Sequence, residues 1–135
     1  MTNAPGKGFH IGLWVAQVLL SMGFGMAGVM KLATPYAELA QKMAWAQHTP
    51  EALVKFIGVV ELAGALGVIL PAATRIKPVL TPLAAAGMVV IMVLAIGLHV
   101  SLGEVPAPNF VLGGIAAFVA WGRWRKAPIS PRSEN

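Results

Sequence analysis

Cysteine is absent from this chain, which excludes disulfides, thiolate metal ligands and thiol nucleophiles. Charge is nearly as scarce: 11% of the 135 residues are charged, and only five are acids. Missing too are a phosphate-binding glycine loop, a zinc-ligand spacing and a nucleophile triad. Of the three histidines, His10 and His99 belong near opposite faces and His48 to a loop, which argues against paired haem ligation within one helix bundle. No basic face suited to nucleic acid is present. The ten Lys and Arg give a net charge of +5, but they sit singly or at loops and ends. With no metal-ligand set and little water-exposed mass, a subunit or accessory protein fits better than an autonomous enzyme.

What the chain has instead is apolar length. Hydrophobic residues make up 57% of it and its mean hydropathy is +0.74, the balance of an integral membrane protein. Continuous apolar runs place four spans at about 11–32, 53–70, 79–100 and 108–124. A crossing helix needs ~20 residues and ~17 at the least; the fourth run reaches that limit only by recruiting Pro108 and Asn109. The runs are continuous and Gly-rich, not alternating, which argues against a β-barrel. The first run lacks a small-residue cleavage site and is followed by more apolar runs, so it reads as a retained helix. The expected fold is all-α: a four-helix membrane bundle over 11–124, with an N-terminal segment at 1–10 and a basic tail at 125–135.

Sidedness follows from the cations. The loop "AATRIKP" carries Arg75 and Lys77; the tail carries Arg123, Arg125, Lys126 and Arg132; Lys7 precedes the first span. The loop "GEVPAP" carries none. Cations favour the cytoplasmic side, so both termini are expected there. Between spans one and two, Thr34 and Pro35 read as N-cap and first helical residue, with Glu38 in the first turn. Tyr36, Leu39, Ala40 and Met43 then share a face near Trp45, which predicts a short amphipathic interfacial helix over 35–47. It is either a plain connector or a lid over a site open to the outer leaflet. Thr49, Pro50 and Glu51 repeat the start signal for span two.

The polar residues inside the spans carry the functional question. Glu61 lies ~12 Å below the outer end of span two, at a rise of 1.5 Å per residue. Even mild insertion scales charge an acid ~2.5–3.5 kcal/mol at a helix centre, so Glu61 needs a partner, a proton or a wet cavity. Lys31 and His99 stand near the outer ends of spans one and three. Side chains lean toward the N-terminus of their own helix, so Lys31 leans inward while Glu61 leans outward, toward each other. Glu104 and Asn109, in or beside the last outer loop, could add polar groups to the same mouth or be ordinary loop chemistry. Gly58 and Gly64 flank Glu61, and Ser21, Gly25 and Gly28 form a similar stripe on span one; such residues let helices approach closely. Gln17, in the inner half of span one, suits a single interhelical hydrogen bond.

The segments "GFGMAGVMKL" (23–32) and "KFIGVVELAGALGVILP" (55–71) together resemble the DoxX-like family of small four-helix membrane proteins. Small residues followed by Lys31 match its first helix, and Glu61 within a Gly-rich run matches its second. The resemblance covers about residues 11–124; spans three and four match mainly in character. It implies a multi-pass protein of the bacterial inner membrane with Lys31 and Glu61 as its paired polar groups. Some relatives are linked to thiosulfate oxidation with quinone reduction, others to complexes that handle oxidative stress.

The leading expectation is a redox-associated subunit that binds a quinone, or a similar amphipathic ligand, in an outer-leaflet pocket. Lys31, Glu61, His99 and Asn109 would line it, with Lys31 or His99 donating to a carbonyl oxygen and Glu61 exchanging a proton. No covalent cofactor and no metal is expected. The expected partners are the lipid bilayer and a redox or assembly protein, with a second copy of the chain as a further candidate. Two alternatives stand beside it: a structural or assembly subunit of a membrane complex, and a transporter of protons or a small solute.

Overall fold

The computed structural model describes residues 5–133, so positions 1–4 of the expected N-terminal segment and 134–135 of the tail lie outside the described residues. Every regular element within them is helical. In chain order these are α1 (Lys7–Ala33), α2 (Tyr36–Lys42), α3 (Ala44–Gln47), α4 (Glu51–Gly67), α5 (Leu70–Thr74), α6 (Leu80–Ser101) and α7 (Ala107–Trp121). One π-helical turn, Gly122–Lys126, continues α7.

Among the described residues, three segments are long and apolar enough to cross a membrane: Lys7–Ala33, Glu51–Thr74 and Leu80–Ser101, with mean hydropathies of 1.6, 2.2 and 2.5. The protein is therefore an all-α, multi-span helical membrane protein. Its surface agrees. Along α1, Ile11, Val15, Leu19, Met22, Met26 and Val29 are exposed, whereas Leu13, Gln17, Leu20, Phe24, Gly28 and Lys31 are buried. The helical spacing thus turns large apolar side chains outward and puts the polar Gln17 and Lys31 inside. That is an arrangement lipid accepts and water does not.

α1 packs most closely with α4, and α6 with α7; α1 also meets α7, and α4 meets α6. Leu20, Phe24, Ala65, Val68, Met88, Met92 and Val119 fill the space between them. α1 and α4 run antiparallel, since Gly28 meets Gly58 while Gln17 meets Val68. At the first of these crossings a Cβ on Gly28 would sit 2.8 Å from the Gly58 carbonyl oxygen. Only glycine permits that approach.

The expected capping is displaced by one residue at the starts of α2 and α4. Pro35 and Pro50, not Thr34 and Thr49, occupy the N-cap positions of α2 and α4, and neither start has a side-chain cap. The Thr49 hydroxyl is engaged elsewhere, donating to the Trp45 carbonyl at 2.8 Å. Thr34 instead closes α1, its backbone N–H donating to Met30. At the opposite end, Arg75 and Lys77 take left-handed φ of 60° and 47° in the turn between α5 and α6. Arg75 Nε donates to the Ser130 carbonyl at 2.8 Å, and the Arg132 N–H donates back to the Arg75 carbonyl at 2.8 Å. The tail is thereby strapped against this turn.

Candidate functional site

The close crossing of α1 and α4 positions the first functional pair. A Cβ on Gly58 would lie 3.0 Å from Lys31 Cβ, so Lys31 rises directly over that glycine. Each side chain leans toward its own helix N-terminus, and in an antiparallel pair these leanings converge. Lys31 Nζ donates to Glu61 Oε2 at 2.8 Å, with side-chain exposures of 8% and 6%. The Lys31 ammonium also stands 5.5 Å from the centroid of the Trp45 ring, within cation–π range. Among the described residues, Glu61 Oε1 accepts no hydrogen bond, which leaves one carboxylate oxygen available to a ligand or water.

The cover over this pair is assembled by α2 and α3. Tyr36 donates its hydroxyl proton to the carbonyls of Ala46 and Thr49, at 2.9 and 2.8 Å, one at a time. Leu39, Ala46 and Val54 pack beneath, with Met30 and Trp45 against them. These contacts hold Trp45 in place above the ammonium. Lys55 adds a contact the sequence did not suggest. Its Nζ donates to the Lys31 and Thr34 carbonyls at 2.7 and 2.9 Å, satisfying the C-terminal end of α1 and opposing its dipole.

Lys31 and Glu61 form part of the wall of a cavity of about 380 Å³. Trp45, His99 and Asn109 also line it, and its apolar wall comes from Phe56, Ile57 and Val60 of α4 and from Ile91, Ala95 and Leu98 of α6. All four residues expected at the site therefore border one space. They do not all touch. His99 Nδ1 is engaged by Glu104, across the turn that Gly103 makes at φ 77°. Asn109 Nδ2 lies 3.7 Å from Met92 Sδ, a weak contact that leaves its amide available. The chemistry on offer is an ammonium donor and a carboxylate proton acceptor set into an apolar wall, with an imidazole and an amide elsewhere on the lining. Among the described residues, no group of three His, Asp or Glu side chains converges in a metal-holding geometry.

The profile of the DoxX-like family matches residues 15–122. The chain belongs to the DoxX-like family. No curated protein and no solved structure gives a significant match. The family match contains the whole cavity constellation, from Lys31 and Trp45 through Glu61 and His99 to Asn109.

A second polar cluster lies at the other end of the helices. Gln17, fully buried, donates through Nε2 to the Val68 carbonyl at 2.7 Å and accepts from Arg123 Nε at 2.7 Å. The first of these is the interhelical bond expected of Gln17. The burial of Arg123 was not expected: the sequence marks it only as one cation of a basic tail. Between the two polar clusters stand Leu20, Phe24, Ala65 and Met88, all buried and apolar.

Proposed function

We propose that this DoxX-like protein is a redox-associated subunit of a bacterial inner membrane that binds a quinone, or a similar amphipathic ligand, beside Glu61. On this reading α7 and its π turn form the fourth span of a four-helix bundle, and both termini face the cytoplasm. The observation that carries the proposal is the buried Lys31–Glu61 pair in the wall of a largely apolar cavity of about 380 Å³. Small-molecule sites run from ~300 to 1,000 Å³, mostly apolar with a few convergent polar groups. A quinone ring, apolar on its faces and polar at two carbonyl oxygens, suits such a lining.

A bound quinone supplies reversible electron and proton carrying, with a partner redox protein as the source of electrons. The chain's own residues have simpler tasks. The Lys31 ammonium donates a hydrogen bond to a ligand oxygen while holding Glu61 in place. Glu61 Oε1 accepts or returns the accompanying proton. Asn109 and His99 present further polar groups for orientation, and Trp45 with α2 and α3 limits the entry of water. Native mass spectrometry of protein extracted gently from its own membrane tests this, with Glu61→Gln alongside. A quinone-mass adduct on the wild type that is lost from a folded variant is the expected result. No adduct on either protein refutes it.

One observation favours a second reading, a structural or assembly subunit. The Lys31–Glu61 bond spans the same α1–α4 crossing that Gly28 and Gly58 close, so it also fastens two helices. On that reading Glu61→Gln weakens folding or complex assembly and leaves ligand content unchanged. Conduction is the least favoured, because apolar side chains fill the middle between the two polar clusters.

A further inference from the structure

Arg123 is 3% exposed, yet among the described residues it has no carboxylate partner. Its Nε donates to Gln17, its Nη1 donates to the Ala127 carbonyl at 3.1 Å and lies 3.2 Å from His10 Nδ1, and its guanidinium stands 5.7 Å from the Trp14 ring centroid. Nη2 is buried with no hydrogen-bond partner among the described residues. Arginine stays charged in proteins, so this group cannot relieve its burial by losing a proton. A buried charge ordinarily demands an opposite one.

Among the described residues the chain does not supply it. Its described acids are Glu38, Glu51, Glu61 and Glu104, all in α2, α4 or the turn after α6, and none lies between 105 and 133. Arg75, Lys77, Arg125, Lys126 and Arg132 meanwhile gather in the α5–α6 turn and the tail that is strapped to it. Arg123 and Lys77 share the lining of a cavity of about 510 Å³, whose remaining wall is apolar and includes Val79, Leu80, Trp124 and Ile129. Trp121 and Trp124 are about half exposed at this end, as side chains anchored at a membrane interface are.

We propose that this cavity is a binding site for an anionic phospholipid, whose phosphate is the missing counter-charge for Arg123 and Lys77. Two cations in the lining of an otherwise apolar groove match a phosphate joined to acyl chains, and guanidinium is well suited to phosphate recognition. The folded-back tail, held by Arg75, forms one wall of the groove, so a bound lipid also braces the tail against the α5–α6 turn. The site lies apart from the Glu61 cavity and does not depend on what that cavity binds.

The test is native mass spectrometry of the full-length, delipidated protein titrated with phosphatidylglycerol, phosphatidylcholine or inorganic phosphate. Wild type, Lys77→Asn and Arg123→Lys are compared; Asn tolerates the left-handed backbone at position 77. Wild type is expected to retain phosphatidylglycerol at least tenfold better than phosphatidylcholine. Removing one juxtamembrane cation should weaken that binding about fivefold. Arg123→Lys keeps the charge but loses the fork, and should also reduce retention. If it does not fold, Lys77→Asn and the lipid preference still decide the matter. Equal retention of the two lipids, unchanged binding to Lys77→Asn, or inorganic phosphate binding as tightly as the lipid would each overturn the assignment.

Discussion

Substituting Gly28 with alanine should loosen the helix crossing on which the Glu61 site is built. The new Cβ would lie 2.8 Å from the Gly58 carbonyl oxygen, 2.9 Å from Leu62 Cγ and 3.1 Å from the Leu62 backbone nitrogen. Two of these neighbours are backbone atoms and cannot swing aside. Ordinary contact begins near 3.4 Å, so α1 and α4 must separate locally by about 0.6 Å, the difference between 3.4 and 2.8 Å. Overpacking of that kind costs ~1–3 kcal/mol. The gain from replacing a helical glycine by alanine offsets at most ~1 kcal/mol. Gly114→Ala is the matched control, because nothing lies within 4 Å of its added Cβ and only the helical gain applies. The two variants should therefore differ by about 2 kcal/mol, up to roughly thirtyfold in the unfolding equilibrium. Denaturant unfolding in mixed micelles, followed by circular dichroism, measures the difference. If Gly28→Ala is as stable as Gly114→Ala, the tight α1–α4 crossing is wrong, and with it the placement of Lys31 over Gly58.

The same assay reads the ion pair. Lys31→Met or Glu61→Leu alone strands a buried charge and should cost ~3–5 kcal/mol, whereas the double variant recovers most of the loss; equal costs for all three would contradict the pairing. Lys55→Met removes the donor to the Lys31 and Thr34 carbonyls and should destabilise by ~1–2 kcal/mol, an effect absent if those carbonyls are served by water. Arg75→Gly preserves the left-handed turn but releases the Ser130 and Pro131 carbonyls, so limited proteolysis should cut the tail faster than in wild type. An unchanged cleavage rate would mean that the strap does not hold.

Continuous hydrophobicity made the all-α, membrane-spanning class readable, since only helices satisfy their backbone within such runs. The Lys31–Glu61 contact was also readable, for two local reasons: a carboxylate at depth needs a partner, and side chains on antiparallel helices lean toward one another. Arg123 was not. Its burial depends on Gln17, 106 positions away, and a cation near the end of an apolar run ordinarily reads as a topology marker. Lys55 escaped for a similar reason: nothing in its own helix shows that the end of α1 lies beside it. His99 lines the same cavity as Glu61, but its engagement by Glu104 depends on the tight turn at Gly103 and was not readable. At Thr34 and Thr49 the start signals were sound to within one residue, the usual uncertainty at a helix end.

The central proposal, that the cavity beside Glu61 takes a quinone-like ligand, is met most directly by calorimetric titration. Purified wild type and Glu61→Gln, both shown to be folded by circular dichroism, would be titrated with a short-chain quinol, the reduced form whose hydroxyl can donate to Glu61 Oε1. A charge-assisted hydrogen bond contributes ~1.5–3 kcal/mol, so its loss should weaken binding at least tenfold. Saturable one-to-one binding to wild type, with that loss in Glu61→Gln, is the expected result. No saturable binding to wild type, or equal affinity in the two proteins, would contradict it and leave the Lys31–Glu61 pair as a clasp between helices.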